Sequence, residues 1–391
     1  MEQGAAHALV TEDQKLHRKA QQLGLGNKVY FIQSADDWLR RLHEPPSPLP
    51  NIDDIELHTL TAQLPSPFFD SIRAGYPPFD EWFRSRAQEG RRAWVYRDDN
   101  APSISAICIY TIQTNERVTD NGRVLDGDSL KLCTFKVGET VRGRKIGELF
   151  LRAAFQYATI HRCTHIFLHA NTEQQEHLKS LLEDFGFQRV GCYEADDVYV
   201  KDHPVDPPAL EMNPFEYMRF YYPHYLSGLE VRKFLVPIQP RYHDILFPDY
   251  QDPGHALPVG HPQQHVGNAI KLAYLCHTPN KQLRPGDIVL FYRSHDMKAV
   301  TTLGIVEDYT WTTSADAIAQ IVSRRTVYTD RQIEQMARTE TKVMLFRLIR
   351  HFDNPVSFEQ LLRQRVVSGY IQSIIRISDE SFSRVLRAAE R

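Results

Sequence analysis

The chain has 391 residues, of which 42% are hydrophobic and 24% are charged, and its formal net charge is −3. This composition is typical of a soluble globular protein and excludes a disordered or fibrous chain. The length favours two or three domains rather than one. No apolar run approaches the ~18 residues that a membrane span needs, and residues 1–22 lack the apolar core of a signal peptide.

The cysteines and histidines point to no disulfide framework and no metal centre. The five cysteines are scattered, odd in number and without a CxxC pair, which is typical of a protein from a reducing compartment. The 17 histidines show no HExxH motif and no other spacing that presents two ligands with a third nearby. We therefore expect a cytoplasmic protein without a structural metal.

Charge is distributed unevenly along the chain. Residues 214–391 carry 22 Lys and Arg against 18 Asp and Glu, whereas the remainder carries 24 against 31. A mildly basic C-terminal half on an acidic protein is what a nucleic-acid or phosphate-binding module shows. The same difference also lies within the ordinary variation of protein surfaces, so the charge leaves both interpretations open.

The N-terminal elements fall into two groups. Residues 1–50 form an extension without an assignable function, with a solvated helix or disorder over residues 1–27. A strand at 29–32 and a helix at 36–42, with Ser34 as a possible cap, follow. Beyond the proline-rich break at 45–50, the pattern predicts a strand at 55–60, helices at 68–74 and 79–87, and paired strands at 91–97 and 104–113.

The elements that follow alternate between strands and helices. Hydrophobic periodicity predicts strands at 130–137 and 165–170, and helices at 146–159 and 173–185. Strands at 188–192 and 198–201 end this region. The order from residue 55 is therefore β-α-α-β-β-β-α-β-α-β-β, which predicts an α+β domain.

The most informative stretch is the loop between the strand that ends at Val137 and the helix that begins at Ile146. It contains Arg142, Arg144 and Lys145 together with two glycines. Free N–H groups converge at a helix N-terminus, and the helix dipole places about half a positive charge there. A strand, a short basic loop and a helix N-terminus thus predict an anion site, and a pyrophosphate fits it.

This region resembles the GNAT family of N-acyltransferases over roughly residues 52–202. The family loop reads Arg/Gln-x-x-Gly-x-Gly/Ala, which Arg142 and Gly147 match, while Lys145 stands where the middle glycine is usual. Gly186 and Phe187 resemble the turn that ends the family's last helix. The resemblance implies a mixed sheet flanked by helices, with acetyl-CoA as co-substrate.

The resemblance also implies an acetyl-CoA site. The strand edge at residues 135–137 would hydrogen-bond the pantetheine arm, and residues 143–147 would hold the pyrophosphate. The loop can accommodate a lysine side chain at position 145, in place of the usual glycine, if the φ of Lys145 stays negative. Asn171, just past a strand, either hydrogen-bonds the pantetheine amides or caps the next helix. The full set implied for the co-substrate is Phe135, Val137, Arg142, Gly143, Arg144, Lys145, Ile146, Gly147 and Asn171.

Acetyl transfer to an amine needs a base, a stabilised oxyanion and a proton for the departing thiolate. The family often supplies that proton from a tyrosine at the position that is Leu182 here, and leucine has no proton to give. Tyr193 or water is the substitute acid. His169 is the candidate base because imidazole titrates near neutrality; the alternative is a histidine packed for structure.

The C-terminal region follows a proline-rich linker at residues 203–213. Short strands at 234–238, 287–292, 300–306 and 342–348, with turns and helical insertions between them, resemble a PUA-like β-barrel of the ASCH type over residues 214–391. The resemblance implies binding of RNA or modified nucleobases. Cations beside aromatic rings suit phosphates and bases, and the candidates are Tyr292, Arg293, Arg324, Arg325 and Tyr328.

We therefore expect four segments: the extension at 1–50, a GNAT acyl-CoA-binding domain at 51–202, the linker at 203–213 and a PUA-like domain at 214–391. The leading hypothesis is an acetyl-CoA-dependent N-acyltransferase whose C-terminal domain selects the acceptor, an RNA or an aminoacyl-tRNA. The competing hypothesis is a catalytically degenerate GNAT domain. It would act as a CoA sensor or as a scaffold for an RNA-binding or modified-nucleotide-binding module.

Overall fold

A computed structural model describes residues 9–23, 25, 29–30, 51–98, 103–142, 144–171, 175–250, 264–266, 269–322, 328 and 330–390. The chain divides into two compact units, residues 1–49 and 50–391. In the first unit, β1 (Leu9–Val10) pairs in parallel with β2 (Val29–Tyr30), and α1 spans Gln14–Gln22. The helix predicted at 36–42, with its cap Ser34, lies outside the described residues.

The second unit begins with a mixed sheet in the order β3-β4-β5-β6-β7-β9-β8. All neighbouring strands are antiparallel except β6 and β7, which run parallel. The mixed α+β fold predicted from the sequence is confirmed. The strands are β3 (Asn51–Glu56), β4 (Arg92–Arg97), β5 (Ile104–Arg117), β6 (Val124–Val137), β7 (His165–Ala170), β8 (Gln188–Tyr193) and β9 (Asp196–Asp202).

Helices cover both faces of this sheet. On one face, α2 (Asp70–Gly75) and α3 (Phe79–Gln88) lie over an apolar cluster that includes Phe79 and Phe83. On the other, α4 (Ile146–Ile160) and α5 (Glu176–Asp184) enclose the cluster that contains Trp94. The four helices agree with the sequence prediction, although α5 begins three residues later than expected.

The strand predicted at 55–60 is wrong in its second half. β3 ends at Glu56, and Leu57–Gln63 form a 3₁₀ helix. Leu57 and Leu60 are both fully buried, and their spacing of three residues puts them on one face of a 3₁₀ helix but on opposite faces of a strand. Burial against the helices of this face therefore decides the local structure.

A second sheet follows, in the order β12-β15-β14-β13-β10-β16. The strands of this part of the chain are β10 (Lys233–Ile238), β11 (Gln264–Val266), β12 (Lys271–Cys276), β13 (Ile288–Arg293), β14 (Ala299–Thr312), β15 (Thr341–Ser357) and β16 (Ile375–Ile377). The helices are α6 (Pro214–Tyr221), α7 (Pro240–Leu246), α8 (Ala315–Val322), α9 (Asp330–Met336), α10 (Phe358–Arg363) and α11 (Asp379–Ala389). β11 pairs with β3 and so extends the first sheet to eight strands.

The second sheet bends around an apolar cluster that includes Phe234, Phe291 and Phe346. Register shifts interrupt the pairing of β13 with β14 and, three times, that of β14 with β15, and such bulges bend a sheet. Among the described strands the hydrogen-bonded order runs from β12 to β16 without closing. The expected barrel is thus an open, bent sheet in the part of the chain that the structure describes.

The two sheets share one hydrophobic cluster, which contains Phe155 of α4 and Leu290 of β13. The segment predicted as a linker is hydrogen-bonded to the residues that follow it rather than free. The Tyr217 hydroxyl donates to the carbonyl of Pro208 at 2.8 Å, and His224 Nε2 lies 2.7 Å from the carbonyl of Pro204. The predicted boundaries at 51–202, 203–213 and 214–391 remain a prediction.

An ion-pair network of two buried cations and two partly exposed carboxylates joins the sheets at the end of α5. Arg347 is fully buried and donates to the Asp184 carboxylate at 3.1 Å and to Glu307 at 3.0 Å. Lys271, also buried, binds Asp184 and lies 3.1 Å from Glu307. Two cations and two carboxylates are thus balanced, which is what makes buried charges tolerable.

Candidate acyl-CoA site

The site begins where β6 and β7 part. The two strands pair only from Ser129 to Leu132 on β6 and from His165 to Leu168 on β7. β6 then continues to Val137, paired on one side with β5. Within the described residues, the other edge of residues 133–137 has no partner strand. Its backbone N–H and C=O groups therefore face a fork that a ligand can enter.

A β-bulge lies at the start of this fork. Ile109 of β5 pairs with Thr134 and Tyr110 pairs with Leu132, so Cys133 is an extra residue on β6. A bulge bends its strand and leaves the extra residue outside the ladder. The bulge thus helps to turn β6 away from β7, and the free edge starts at the same residue.

Phe135 and Val137, which were predicted to border the pantetheine arm, lie on this free edge. The Phe135 ring packs edge-on against Phe150 of α4, with ring centroids 5.6 Å apart. Val137 packs against the same hydrophobic cluster. Their side chains therefore hold β6 against α4, while the backbone of the strand remains available at the edge.

The loop after β6 leads directly into α4. A 3₁₀ turn at Glu139–Val141 precedes Arg142, which is exposed and lies 3.6 Å from the Glu139 carboxylate. Gly143, predicted to contact the pyrophosphate, lies outside the described residues. The helix begins at Ile146, which is buried in the core, so the N-terminal N–H groups of α4 stand at the end of the fork.

Lys145 corrects one expectation. Its φ is +60° and its ψ is +20°, a left-handed conformation, whereas the sequence analysis required a negative φ. The GNAT loop usually has glycine here, and glycine is the residue that adopts this conformation without a steric penalty. For a lysine the penalty is about 1 kcal/mol. The side chain of Lys145 makes no capping hydrogen bond to α4.

Arg144 is held by β4 rather than left free for a phosphate. Its Nη1 donates to Asp98 Oδ2 at 2.9 Å and lies 3.3 Å from the hydroxyl of Tyr96. These contacts fasten the loop to the end of β4. Both arginines of the loop therefore have an acidic neighbour: Arg144 contacts Asp98 at 2.9 Å, and the exposed Arg142 lies 3.6 Å from Glu139.

Gly147 lies where α4 comes closest to α5. A Cβ added at this position would lie 2.9 Å from Leu181 Cδ2 and 3.7 Å from the ring of Phe135. The residue thus permits the close approach of the two helices beside the fork. Its predicted contact with a pyrophosphate through the backbone N–H stays a prediction.

His169 and Tyr193, the candidate catalytic residues, are neighbours. His169 is the first residue of β7 after the paired stretch, and its ring stacks on that of Tyr193 with centroids 5.1 Å apart. Strand alternation places it on the same face as Phe167, away from α4. Tyr193 is exposed, so the pair borders solvent at the mouth of the fork.

The environment of His169 corrects the argument for a base that titrates near neutrality. Burial, followed by the positive charge of Lys131, lowers the pKa of His169 to about 4. Its Nε2 is buried and has no hydrogen-bond partner in the described part of the chain. The imidazole is thus neutral at pH 7 and presents an unpaired nitrogen.

The sequence analysis missed the loop that covers this pair. β5 and β6 extend well beyond the predicted strands, and the loop between them reaches β8. Asp120 N–H donates to the carbonyl of Cys192 at 2.9 Å, and Glu194 N–H donates to the Asp120 carboxylate at 2.9 Å. Residues 114–117 and 124–129 contain few apolar residues, which is why the extension was not recognised.

Two further predictions concern the region after β7. Leu182 is fully buried in the hydrophobic cluster, so the position of the family's usual acid is part of the core here. Asn171 follows β7 directly, but α5 begins later and its N-cap is Gln175. Asn171 is therefore not the helix cap, and its contact with a pantetheine amide remains a prediction.

Three of the five residues predicted to bind nucleic acid are described by the structure, and they do not form an exposed surface. Tyr292 and Tyr328 are buried, and the Tyr328 hydroxyl donates to the Leu275 carbonyl at 3.1 Å. Arg293 is bound to Asp244 and lies 2.7 Å from Asp296. Buried rings cannot stack on bases, and a paired guanidinium is less available to phosphates. Arg324 and Arg325 lie outside the described residues.

Other chemistry is sparse in the described part of the chain. It contains no group of three or more His, Cys, Asp or Glu residues that could hold a metal ion. The five cysteines are free thiols. No helix among the described residues is long and apolar enough to cross a membrane.

Comparison with known proteins gave one family match. Residues 55–187 match the model of the acetyltransferase (GNAT) family. No curated protein sequence matches the chain. Three solved structures illustrate the likeness of fold, and each covers about two fifths of this chain. The ASCH protein of Zymomonas mobilis matches at 11% identity and a TM-score of 0.31, over 40% of this chain and 94% of that chain. NAA60 of Arabidopsis thaliana in complex with acetyl-CoA matches at 17% identity and a TM-score of 0.29, over 38% of this chain and 96% of that chain. The PaiA N-acetyltransferase of Thermoplasma acidophilum in complex with coenzyme A matches at 13% identity and a TM-score of 0.28, over 39% of this chain and 99% of that chain.

The family match spans the structural features of the site. It includes β6 with its bulge, the loop that follows, the start of α4 and the parting of β6 from β7. The resemblance to the GNAT family that was expected over residues 52–202 is confirmed over residues 55–187. The resemblance of residues 214–391 to PUA-like domains remains a prediction. The site therefore lies within the part of the chain, residues 55–187, that is similar to the acetyltransferase (GNAT) family.

Proposed function

We propose that this protein binds acetyl-CoA in the fork between β6 and β7 and transfers the acetyl group to an amine. The observation that carries the proposal is the unpaired edge of residues 133–137, which leads to the N-terminus of α4. The GNAT-family match over residues 55–187 supports the choice of acetyl-CoA as co-substrate.

The fork suits an extended thioester. Pantetheine contains two amide groups that can hydrogen-bond to a strand edge as a further strand does. The N-terminus of α4 offers unsatisfied N–H groups and a positive dipole end to the pyrophosphate. Arg142 adds an exposed positive charge beside it. The acetyl group then lies near the bulge at Cys133.

The reaction is an acyl transfer. The amine nitrogen attacks the thioester carbonyl and forms the N–C bond, the carbonyl oxygen becomes an oxyanion, and the C–S bond then breaks to release the thiolate of CoA. Backbone N–H groups at the free edge of β6 are placed to donate to the oxyanion. The nitrogen must lose one proton and the thiolate must gain one.

His169 and Tyr193 are the groups that we assign to these protons. Neutral His169 accepts a hydrogen bond from the amine through its unpaired Nε2, directly or through a water molecule. With a pKa of about 4 it is a poor base for an ammonium ion, so the amine attacks already deprotonated. His169 Nε2 then accepts the much more acidic proton that the nitrogen carries once the N–C bond has formed, and releases it to solvent. Tyr193, exposed beside it, donates to the thiolate in place of the missing acid at Leu182.

The second sheet is proposed to select the acceptor. Its ion pairs with Asp184 connect it to α5, which borders the fork, and this supports a role next to the reacting groups. RNA or an aminoacyl-tRNA as acceptor is supported by the resemblance to ASCH-type domains. The predicted contacts through Tyr292 and Tyr328 are not part of this proposal, because both rings are buried.

The test is titration of acetyl-CoA into the full chain, with Arg142→Glu as the variant. Reversal of this charge should raise the Kd at least about tenfold, the equivalent of 1.4 kcal/mol. Arg84→Glu is the matched control, because Arg84 is an exposed arginine on α3. Absence of saturable binding by the unmodified protein, or an equal loss in both variants, contradicts the proposal.

A second candidate function, CoA sensing without turnover, is favoured by two observations. Leu182 is apolar and buried where the family's acid is usual, and Lys145 is strained where glycine is usual. Free thiol released from acetyl-CoA in the presence of amine acceptors separates the two functions. Release that exceeds the rate without protein supports the transferase, and binding without release supports the sensor.

A further inference from the structure

A cavity between α10 and α11 lies outside the GNAT-family domain. Its volume is about 710 Å³, and its lining includes four arginines: Arg363 and Arg365 at the end of α10, and Arg384 and Arg387 on α11. The other three lining residues are uncharged. Sites for small ligands usually measure ~300–1,000 Å³, so this cavity has the volume of a ligand site.

Most of this positive charge is uncompensated. Arg384 lies 2.5 Å from the carboxylate of Glu380 and donates to the backbone carbonyl of Gln364 at 2.6 Å, so its position is fixed. Arg363, Arg365 and Arg387 have no acidic partner among the described residues. Cations that line one concave surface repel one another, and the shape of the surface concentrates their positive electrostatic potential inside the cavity. A bound anion therefore relieves the repulsion.

Gln364 adds a second observation. Its side-chain Oε1 is buried beside the cavity and has no hydrogen-bond partner. Rotation of the terminal amide by half a turn exchanges this oxygen with the NH₂ group, which donates two hydrogen bonds. Gln364 thus contributes to the cavity wall a polar side chain whose buried end has no partner among the described residues, so its amide is free to reorient when a ligand binds.

The lining indicates which anion fits. Guanidinium groups bind phosphate oxygens in a bidentate manner, and several arginines in one cavity suit several phosphates. No aromatic side chain lines the cavity, so nothing there is placed to stack on a base as in single-stranded nucleic-acid sites. The concave shape likewise favours a compact ligand over a long strand.

We propose that the cavity between α10 and α11 is a binding site for a small polyphosphate, such as the di- or triphosphate group of a nucleotide. Arg384 is positioned by Glu380 and Gln364, and the three other arginines close around the phosphates. The site is independent of the acyl-CoA fork. It gives the C-terminal region a ligand of its own, through residues that were not singled out as nucleic-acid contacts.

The test is calorimetric titration of inorganic tripolyphosphate into the full chain at low and physiological ionic strength. The variant carries Arg363→Gln and Arg387→Gln. Saturable binding is expected for the unmodified protein, with a Kd at least about tenfold higher in the variant and higher for both at physiological salt. Titrations of ATP and of orthophosphate show whether a nucleotide or a single phosphate suffices.

The matched control is Arg376→Gln, because Arg376 is an exposed arginine on β16 that does not line the cavity. It should leave the Kd unchanged. Circular dichroism and the melting temperature establish that the double variant is folded, and an Arg363→Lys, Arg387→Lys variant should recover part of the affinity. The proposal is overturned if tripolyphosphate does not bind, if Arg376→Gln weakens binding equally, or if a 12-nucleotide RNA binds through these arginines while tripolyphosphate does not.

Discussion

Two histidines, His169 on β7 of the first sheet and His243 on α7 beside the second sheet, have low pKa values for the same reason and differ in what they contact. Burial lowers the pKa of His169 to about 4 and that of His243 to about 3. His243 Nε2 lies 2.8 Å from the hydroxyl of Thr301, and its Nδ1 lies 3.2 Å from Arg293. The Nε2 of His169 has no partner among the residues that the structure describes. A lowered pKa alone therefore does not distinguish the two histidines, and the proposal for His169 rests on its contact with the exposed Tyr193 and on its unpaired Nε2.

The backbones of the two sheets show the same contrast. β14 and β15 of the second sheet remain paired over twelve registered positions despite three irregularities. β6 and β7 of the first sheet pair over four and then part. Satisfied polar groups stabilise the second sheet, while unsatisfied groups at the fork leave the first sheet able to bind a ligand.

The largest expected effect tests whether the two sheets depend on each other. Arg347→Ala leaves Asp184 and Glu307 with one buried cation fewer. Breaking a fully buried pair typically costs ~3–5 kcal/mol, and because both carboxylates are partly exposed we expect a loss at or below the lower end of that range. Denaturant unfolding measures the change in the free energy of unfolding. Arg350→Ala is the control, because its pair with Glu390 at 3.6 Å is exposed and worth at most ~1 kcal/mol. Equal losses in both variants would show that the network does not couple the sheets.

The next prediction concerns the fork itself. Gly147→Val adds bulk 2.9 Å from Leu181, so α5 must move or the fork must narrow. We expect acetyl-CoA affinity to fall at least about tenfold, which titration calorimetry measures. Gly75→Val is the matched control, because nothing lies within 4 Å of a Cβ at that glycine. Full affinity in Gly147→Val would place the ligand elsewhere.

A pair of substitutions separates the two histidines. His169→Gln should lower the rate of thiol release from acetyl-CoA about 10²-fold with a small change in melting temperature, since general acid–base groups contribute 10²–10⁴-fold. His243→Gln should leave the rate unchanged and lower the melting temperature, because Thr301 and Arg293 lose a well-placed partner. The reverse pattern would assign the structural role to His169.

The pH dependence of stability should reflect His243. Its folded-state pKa of about 3 lies below the ordinary value of 6.5, so between these pH values the unfolded chain binds a proton that the folded protein does not. Stability therefore falls as the pH falls from 6.5, by up to roughly 1.4 kcal/mol per pH unit. Unfolding of His243→Gln between pH 7 and 4 should show a shallower slope. An identical slope would mean that other groups dominate.

The smallest effect concerns the strained loop. Lys145→Gly removes the penalty of a left-handed lysine and should raise the free energy of unfolding by about 1 kcal/mol or less. Lys145→Ala is the control, because it removes the same charge and keeps the steric penalty. Chemical denaturation distinguishes them. Equal stability of the two variants would show that the strain contributes nothing.

The sequence predicted the first sheet well because its signals are local. The helix at Ile146–Ile160 and the strand at His165–Ala170 follow from hydrophobic periodicity, and the GNAT-like loop joins two elements that are neighbours in the chain. The edge residues Phe135 and Val137 were found through the same motif. The strand predicted at 55–60 failed because burial of Leu57 and Leu60 against distant helices overrides local preference.

The side-chain environments in the second sheet were predicted less well, because the residues that contact one another there are distant in sequence. The sequence predicted Tyr292 and Tyr328 as rings that stack on bases, yet tertiary packing buries both side chains. Arg293 was predicted to contact phosphates, but in the structure it forms ion pairs with Asp244 and Asp296. The arginines that do face a cavity, among them Arg363 and Arg387, come from α10 and α11 and carry no recognisable motif.

By itself the sequence determined the order of elements in the first sheet, the α+β class and the loop that resembles that of the GNAT family. All of these depend on residues within a few positions of one another. Only the tertiary structure decided that Lys145 is left-handed, that the Nε2 of His169 is unpaired and that Arg347 joins the two sheets. The reason is physical: desolvation, ion pairing and the space around a backbone depend on atoms brought together from distant parts of the chain.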